Sequence, residues 1–242
     1  MKYFIACASL LFTSMLFAEE KSFEISKGLL DFESTSGNVS ITGTESSLMK
    51  ISYTKKEWDE GCNLKMEQSN NVVSVKVQKN KKKSSGWFSS GPRCELDFNI
   101  TMPKQVKLLS KLGSGNTSIT GLNADSDLTS GSGQITITNS AMDSLKAFLG
   151  SGDINAKGQF KKVNFESGSG NIKLINPQIK TLKAQLNSGS GDITVIVPRG
   201  IKVNSKLESA SGKLINKAGN SDDSEISIKA STGSGDVTIE NI

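Results

Sequence analysis

The chain has 242 residues, of which 23 are glycine, 4 are proline and none is histidine, and its formal net charge is +5. Only 35% of the residues are hydrophobic, which argues against a thick core and against a membrane protein with several spans. Because histidine is absent, the chain cannot form a Ser-His-Asp triad, an HExxH zinc site or a Cys/His zinc finger.

Residues 1–18 have the pattern of a secretory signal peptide, with an early lysine, an uncharged apolar run that ends at Phe17, and then Ala18. We expect cleavage after Ala18, which leaves residues 19–242 as a single exported domain, soluble in a periplasm or outside the cell. Two alternatives stay open. One is an uncleaved N-terminal anchor, and the other is lipoprotein processing at Cys7, which follows a very short apolar stretch.

Two cysteines remain after cleavage, Cys62 and Cys94, and an even count in an exported protein predicts one disulfide. The bond would close a loop of 32 residues and contribute about 3–4 kcal/mol in the chain-entropy model. The alternative is two unpaired thiols. Since CxxC spacing is absent, a redox enzyme is not indicated.

The segment 79–93 combines lysines with two aromatic residues and is the candidate binding loop. The residues concerned are Lys79, Lys81, Lys82, Lys83, Trp87 and Phe88. Such a composition suits anionic lipid headgroups, lipopolysaccharide or an acidic glycan. The alternative is a solvated loop whose two aromatic rings pack back near Cys94.

A Ser-Gly or Gly-Ser-Gly motif followed by alternating aliphatic residues recurs along the chain. Its anchoring glycines are Gly37, Gly115, Gly133, Gly152, Gly170, Gly191, Gly212 and Gly235. From the second of these onward the steps are 18, 19, 18, 21, 21 and 23 residues. A period near twenty residues is typical of a stacked repeat architecture. The motif is interrupted over 44–110, which we expect to form an antiparallel cap or insertion, whereas 111–242 holds the regular repeats.

Alternation with period two on both sides of each glycine predicts two strands per repeat. We therefore predict an all-β fold, a parallel β-solenoid of two sheets with coils of about twenty residues and an antiparallel N-terminal elaboration. The glycines would be structural, at tight corners with positive φ. Two rivals are an antiparallel sandwich of hairpins and a left-handed hexapeptide coil, but the latter needs aliphatic residues every six positions.

The C-terminus follows the last repeat strand directly, so we expect the C-terminal strand to leave a sheet edge. This edge could pair with a partner or with another copy of the chain. The alternative is an edge blunted by Asp236, Glu240 and Asn241. The oligomeric state is left open.

The runs LDFESTSGNVSITG, DFNITMPKQVKLLSKLGSGNTSITGL and the repeated SGSGD resemble a bacterial family over residues 30–242. It is the exported "putative adhesin" family of unknown function, built from glycine-anchored β-strand repeats. The resemblance implies a β-solenoid-like fold and an envelope setting, and it carries over neither catalysis nor functional residues. The lysine-rich insertion at 79–93 departs from the family pattern.

Other chemistries find little support in the motifs. Asp153, Asp192 and Asp236 follow corner glycines, but Lys213 occupies the equivalent position in another repeat, so calcium is disfavoured and a turn residue that caps backbone N–H groups is expected instead. The glycine-rich runs match neither a P-loop nor a dinucleotide fingerprint. Carboxylates are scattered, and no catalytic residue, metal, cofactor or nucleic-acid partner is predicted.

Three functions follow from these observations. The first is an exported, non-enzymatic envelope or surface protein, an adhesin or scaffold that acts through solenoid faces with residues such as Thr136, Lys173, Thr194 and Thr238. The second is a periplasmic binding or envelope-stress-sensing module that recognises an anionic envelope component through segment 79–93. The third, disfavoured by the composition, is a polysaccharide-modifying enzyme.

Overall fold

The computed structural model describes residues 19–79, 91–178 and 180–242, in which all regular secondary structure is β-strand. This confirms the predicted all-β class. The strands are β1 Glu19–Glu24, β2 Leu29–Ser36, β3 Val39–Thr44, β4 Leu48–Trp58, β5 Cys62–Ser69, β6 Val72–Lys79, β7 Cys94–Pro103, β8 Lys107–Ser114, β9 Thr117–Thr120, β10 Ser126–Ser132, β11 Ile135–Ser151, β12 Ile154–Ser169, β13 Ile172–Ile175, β14 Leu182–Ser190, β15 Ile193–Val197, β16 Asn204–Ser211, β17 Leu214–Asn216, β18 Ile226–Ser234 and β19 Val237–Asn241.

The strands form two facing layers joined at the glycine corners. We call the layer that precedes the corners the upstream sheet, with the order β5-β6-β2-β8-β10-β11-β12-β14-β18-β16. The downstream sheet follows the corners, with the order β1-β4-β7-β3-β9-β11-β12-β13-β15-β19-β17. The long strands β11 and β12 contribute to both sheets. Most neighbours are parallel, so the predicted parallel β-solenoid is confirmed.

Alternation along each strand decides which side chains enter the space between the sheets. In β14, Leu182, Ala184 and Leu186 are buried while Lys183 and Gln185 are exposed. The same positions of β12 and β18 lie directly beside them in parallel register. Because side chains point alternately to the two faces of a strand, a fixed register stacks like with like from coil to coil.

The interior is thin and mixes large with small residues. One row of neighbouring inward positions in the upstream sheet runs Phe32, Ser110, Leu128, Ala147, Phe165, Leu186, Ala230. Next to the corners lies a row of buried hydroxyls, in which Ser188 Oγ donates to the carbonyl oxygen of Gly170 at 2.9 Å. Small residues and hydrogen-bonded hydroxyls therefore fill space that would otherwise need aliphatic side chains, which explains the low hydrophobic content.

Both glycines of a Gly-Ser-Gly corner pack against the preceding coil. At Gly152, φ is +124°, and an added Cβ would lie 1.8 Å from the carbonyl oxygen of Gly133. Gly150 has no such backbone requirement, yet a Cβ there would lie 2.5 Å from the carbonyl oxygen of Gly131. The short distance between coils therefore excludes a side chain at both positions. Gly152 also needs the left-handed backbone region. All eight anchoring glycines have positive φ.

The N-terminal end of the stack carries the antiparallel elaboration. Strand β4 pairs with β7, β1 with β4 and β5 with β6, all antiparallel. Strands β6 and β7 differ from the expectation for 44–110, because they pair in parallel with β2 and β3 and extend the stack by one layer. The reason is that Val73, Val75 and Val77 bury the same alternate positions as a repeat strand does.

The C-terminal end corrects our expectation for the last strand. Strand β19 is not an edge, since it lies between β15 and β17, and β18 likewise lies between β14 and β16. The outermost coil is 204–216, which precedes them in the chain. Val237 and Ile239 are fully buried and need cover on both sides. The coil that provides this cover has polar Ser205, Ser209 and Asn216 among its inward residues, which suits contact with water at the end of a stack.

A polar cluster closes part of this end, and we call Ser205, Asn216 and Asn220 the polar plug. Ser205 Oγ donates to Asn220 Oδ1 at 2.6 Å, while Asn216 Nδ2 lies 3.1 Å from Ser205 Oγ and 2.9 Å from Asn220 Oδ1. Asn216 Oδ1 accepts from the backbone N–H groups of Ala218 and Gly219. Ser205 and Asn216 are thus hydrogen-bonded at inward positions that Ile228 and Ile239 occupy on the neighbouring strands.

Candidate functional site

The residue after each anchoring glycine takes part in a ladder of backbone contacts. The N–H of Asp236 donates to Oδ1 of Asp192 at 2.8 Å, and the N–H of Asp192 donates to Oδ1 of Asn171 at 2.9 Å. At the end of the row, the N–H of Lys213 donates to Oδ1 of Asp236 at 2.7 Å. These side chains therefore cap backbone N–H groups, which is the role we expected for them in preference to calcium ligation.

The candidate binding loop falls largely outside the described residues. Lys81, Lys82, Lys83, Trp87 and Phe88 belong to 80–90, so whether the aromatic rings pack near Cys94 or reach into solvent stays a prediction. Lys79 is described and ends β6 with an exposed side chain. The loop therefore begins at the N-terminal end of the stack, at the end of the upstream sheet.

The base of this loop is fixed by a disulfide and by an acidic pair. Cys62 and Cys94 are bonded, with their Cα atoms 5.6 Å apart, which confirms the predicted cross-link. The N–H of Arg93 donates to Asp59 Oδ2 at 2.8 Å, and its guanidinium Nε lies 3.1 Å from Glu57 Oε2. The end of β7 that receives the loop is thus tied to both β4 and β5.

A cleft of about 430 Å³ opens between β1 and β5 at the same end of the stack. Tyr53, Leu64 and Met66 contribute half-buried side chains to it. Lys21 Nζ donates to the carbonyl oxygen of Met66 at 2.6 Å and so links the downstream sheet to the upstream sheet. The remaining lining residues are Glu19, Glu20 and Lys65. The cleft therefore has an apolar wall and charges of both signs.

Tyr53 and Glu19 form the polar contact of this cleft. The Tyr53 hydroxyl donates to Glu19, and Lys55 Nζ lies 2.8 Å from the same carboxylate. Burial, with the neighbouring Glu19 as the second cause, raises the pKa of Tyr53 to about 12. The hydrogen bond from Lys55, followed by the one from Tyr53, lowers the pKa of the Glu19 carboxyl. At neutral pH the pair is therefore a neutral phenol beside a carboxylate.

The outer surface of the downstream sheet presents side chains in rows. Thr136, Lys173, Thr194 and Thr238, which we selected from sequence, lie in a single row because β11, β12, β13, β15 and β19 are neighbours in register. Nearer the N-terminal end, a second row carries threonines on four consecutive strands. These are Thr101, Thr42, Thr120 and Thr138. The arrangement is a flat array of hydroxyl groups.

Sequence reasoning missed the cleft and the Tyr53–Glu19 contact. The cleft walls come from β1 and β5, which are far apart in the chain. They face each other because β1 pairs with β4 at the end of the downstream sheet and β5 pairs with β6 at the end of the upstream sheet. The alternation of Leu64 and Met66 within β5 was visible, but it does not say what those side chains face.

Among the described residues, no group of three or more His, Cys, Asp or Glu side chains is placed to hold a metal ion. Separately, the described part of the chain contains no helix that is long and apolar enough to span a membrane.

A family model and several solved structures are similar to this chain. The family model described as Toastrack DUF4097 matches residues 28–241. A "putative adhesin" from Bacteroides fragilis is 15% identical with a TM-score of 0.53, and the match covers 93% of this chain and 97% of that chain. At this identity the likeness shows the fold. The comparison with curated proteins found no match.

Two further solved structures are similar over the same share of the chain. A "putative cell adhesion protein" from Clostridium sporogenes is 17% identical, with a TM-score of 0.41 and coverage of 93% of this chain and 100% of that chain. A "putative lipid binding protein" from Parabacteroides distasonis is 16% identical, with a TM-score of 0.49 and coverage of 93% and 96%.

Proposed function

This chain belongs to the Toastrack family, and we propose that it is an exported, non-enzymatic envelope or surface protein that binds other surface components through the outer faces of its sheets. The family and its adhesin-like structural neighbours suggest a non-enzymatic role. The proposal extends this to an adhesin or scaffold that acts through many weak contacts.

The observation that carries the proposal is the row of Thr136, Lys173, Thr194 and Thr238 on the downstream sheet. Parallel strands lie about 4.8 Å apart, so the row repeats hydrogen-bonding groups at a fixed interval along the stack. Each group is solvent-facing and contributes little alone. A partner that is itself extended and repetitive could meet several of them at once, and the contacts would then reinforce one another.

The test adds bulk to this row without touching the interior. In T136R/T194R, two long side chains should lift a partner off the downstream face and reduce retention of the protein on cell-envelope fractions. The matched control is S74R/T129R, which places the same added charge on the outer surface of the upstream sheet. If both variants bind as the unmodified protein does, or if that protein is not retained at all, the proposal is wrong.

A second candidate function rests on the base of the binding loop. The Cys62–Cys94 disulfide and the Arg93 contacts hold β7 where the loop enters it, and Cys62 lies opposite Lys79, where the loop leaves β6. This suits a loop that presents a recognition surface. In this alternative, Lys81, Lys82 and Lys83 contact an anionic envelope component. Their replacement by glutamine should abolish salt-sensitive binding to anionic vesicles, and unchanged binding would reject the loop.

Export is tested separately, since the signal-peptide segment 1–18 lies outside the described residues. Mass spectrometry of the protein recovered from periplasmic and culture fractions should give a chain that begins at Glu19. A chain that retains Met1 in the cytoplasmic fraction would contradict the proposal.

A further inference from the structure

The outer face of the upstream sheet has two halves that differ in how their lysines are paired. In the half nearer the N-terminal end, each of three lysines has a carboxylate on the adjacent strand or beside it. The pairs are Lys76–Asp31 at 3.2 Å, Lys107–Asp125 at 3.4 Å and Lys146–Asp127 at 3.8 Å. A fourth lysine, Lys111, lies directly opposite Glu33 in the register of β8 with β2, so positive charge on this half is locally compensated.

In the other half, lysines lie beside lysines. The register sets Lys162 of β12 directly next to Lys183 of β14, and Lys229 of β18 directly next to Lys206 of β16. Lys206 has a carboxylate partner in Glu208 at 2.9 Å. Among the described residues, the other three have no ion pair. Like charges on directly opposed positions of neighbouring strands are unfavourable, so this arrangement costs stability in the free protein.

A shallow groove of about 230 Å³ lies beside the second lysine pair. Its polar lining includes Gln185, Asn187 and Ser231, with Lys206, Glu208 and Lys229 from the outer strands. Amide and hydroxyl groups both donate and accept hydrogen bonds, as sugar hydroxyls do. We call this groove with the two lysine pairs the lysine face.

We propose that the lysine face binds an acidic glycan, with the lysine pairs on its negatively charged groups and the amides on its hydroxyls. The inference rests on the proposed function and names the class of partner for one of its two faces. A bound polyanion would remove the lysine–lysine repulsion, so the free protein gains by binding it. An anionic membrane fits less well, because the outward residues here are Lys, Asn, Gln, Ser and Glu, without an aromatic or aliphatic group to enter the lipid.

The test uses the full chain with defined polymers. Polygalacturonate and dextran sulfate supply carboxylate and sulfate groups, unmodified dextran is the neutral probe, and vesicles of phosphatidylcholine with phosphatidylglycerol represent a membrane. The variant K183Q/K229Q removes one lysine of each pair. The control K107Q/K146Q makes the same charge change on the compensated half of the same sheet.

We expect the unmodified protein to bind at least one acidic polymer at low salt and to ignore dextran. Because exposed charge contacts are individually weak, K183Q/K229Q should weaken binding by about tenfold, while K107Q/K146Q should change it less than about twofold. A preference between the two acidic polymers identifies the anionic group. Thermal unfolding is the control for folding, and K183Q/K229Q should melt no lower than the unmodified protein.

Several outcomes would overturn the proposal. Equal loss in both variants would mean nonspecific attraction to net charge, binding to vesicles but not to polymers would assign the face to a membrane, and absence of polymer binding would reject it outright. Failure of the broader function is distinguishable, because retention on envelope fractions by the unmodified protein is measured independently of these polymers.

Discussion

The two ends of the stack meet the same problem, exposed strand edges, in different ways. At the N-terminal end, β1, β4 and β5 pair antiparallel with the stack and a disulfide ties β5 to β7. At the C-terminal end, the covering layer is an ordinary coil, β16 and β17, whose inward positions carry the polar plug and leave Leu214 49% exposed. The N-terminal end is covered by additional strands. At the C-terminal end, polar residues take the place of aliphatic ones and tolerate contact with water.

The two ends also share one feature of their topology. Both ends place a layer outside its chain order, β6 and β7 beyond β2 and β3, and β16 and β17 beyond β18 and β19. At the N-terminal end this layer buries Val73, Val75 and Val77 and needs further cover. At the C-terminal end, hydrogen bonds within the plug satisfy the polar groups of the layer, while Leu214 stays 49% exposed.

The largest expected effect comes from removing the disulfide. C62S/C94S should lower the free energy of unfolding by about 3–4 kcal/mol, because the unfolded chain is no longer closed into a loop. Hydrogen exchange should rise first in β4, β5 and β7, while β18 and β19 keep their protection. Reduction of the unmodified protein is the matched control. Loss of protection at both ends together would contradict separate end structures.

The polar plug should give the next largest effect. Asn216→Ala removes contacts with Ser205 and Asn220 and leaves two backbone N–H groups without their acceptor, which should cost about 1–3 kcal/mol. Asn216→Asp is the informative control, since it keeps the acceptor for Ala218 and Gly219 and replaces the donor to Asn220 by a charged oxygen. Hydrogen exchange should increase in β16 and β17. If protection there is unchanged by Asn216→Ala, the plug does not close this end.

Substitution of Leu214 should change the free energy of unfolding only slightly, although this residue belongs to a core row. Its neighbour in register is Val237, which is fully buried, but among the described residues no strand lies beyond Leu214. Leu214→Ser should change the free energy of unfolding by less than about 0.5 kcal/mol, as is usual for surface positions. Chemical denaturation measures this, and a loss comparable to that of a buried leucine would mean that something covers this end.

At the N-terminal end, titration of Tyr53 should show its contact with Glu19 without a large stability change near neutral pH. Tyrosinate absorbance should give a pKa of about 12, compared with the ordinary value of 10.0. Because the unfolded state loses this proton first, stability should fall as pH rises from about 10 to about 12. Glu19→Gln should lower the pKa, and Tyr53→Phe should remove the transition. An ordinary pKa in the unmodified protein would contradict the contact.

The corners and the strand alternation were predictable because each depends on nearby residues. Gly152 must be glycine for its own φ and for its distance to Gly133, and both requirements recur wherever Gly-Ser-Gly recurs. The order of the layers was not predictable in this way. The run 211–216 carries the same motif as 233–239, so the pattern fits either order. The available clue was polarity, since Ser205 and Asn216 occupy positions that are aliphatic in the buried coils.

The candidate sites were predictable only in part, for the same reason. Cys62 and Cys94 could be paired from their number and from the expectation that the protein is exported. The lysine face could not be found from local sequence, since Lys162, Lys183 and Lys229 lie in three different repeats and meet only through register. Segment 79–93 is distinctive in its composition, but most of it lies outside the described residues.

The outermost C-terminal layer, β16 and β17, precedes its neighbour, β18 and β19, in the chain. Paired cysteines at outward positions and a short thiol crosslinker test it directly, because neighbouring strands lie about 4.8 Å apart and second neighbours about twice that. We predict efficient crosslinking in N187C/S231C and in S231C/E208C, which join adjacent strands. We predict little in N187C/E208C. Efficient crosslinking of that last pair would mean that the coils stack in chain order and would contradict the account.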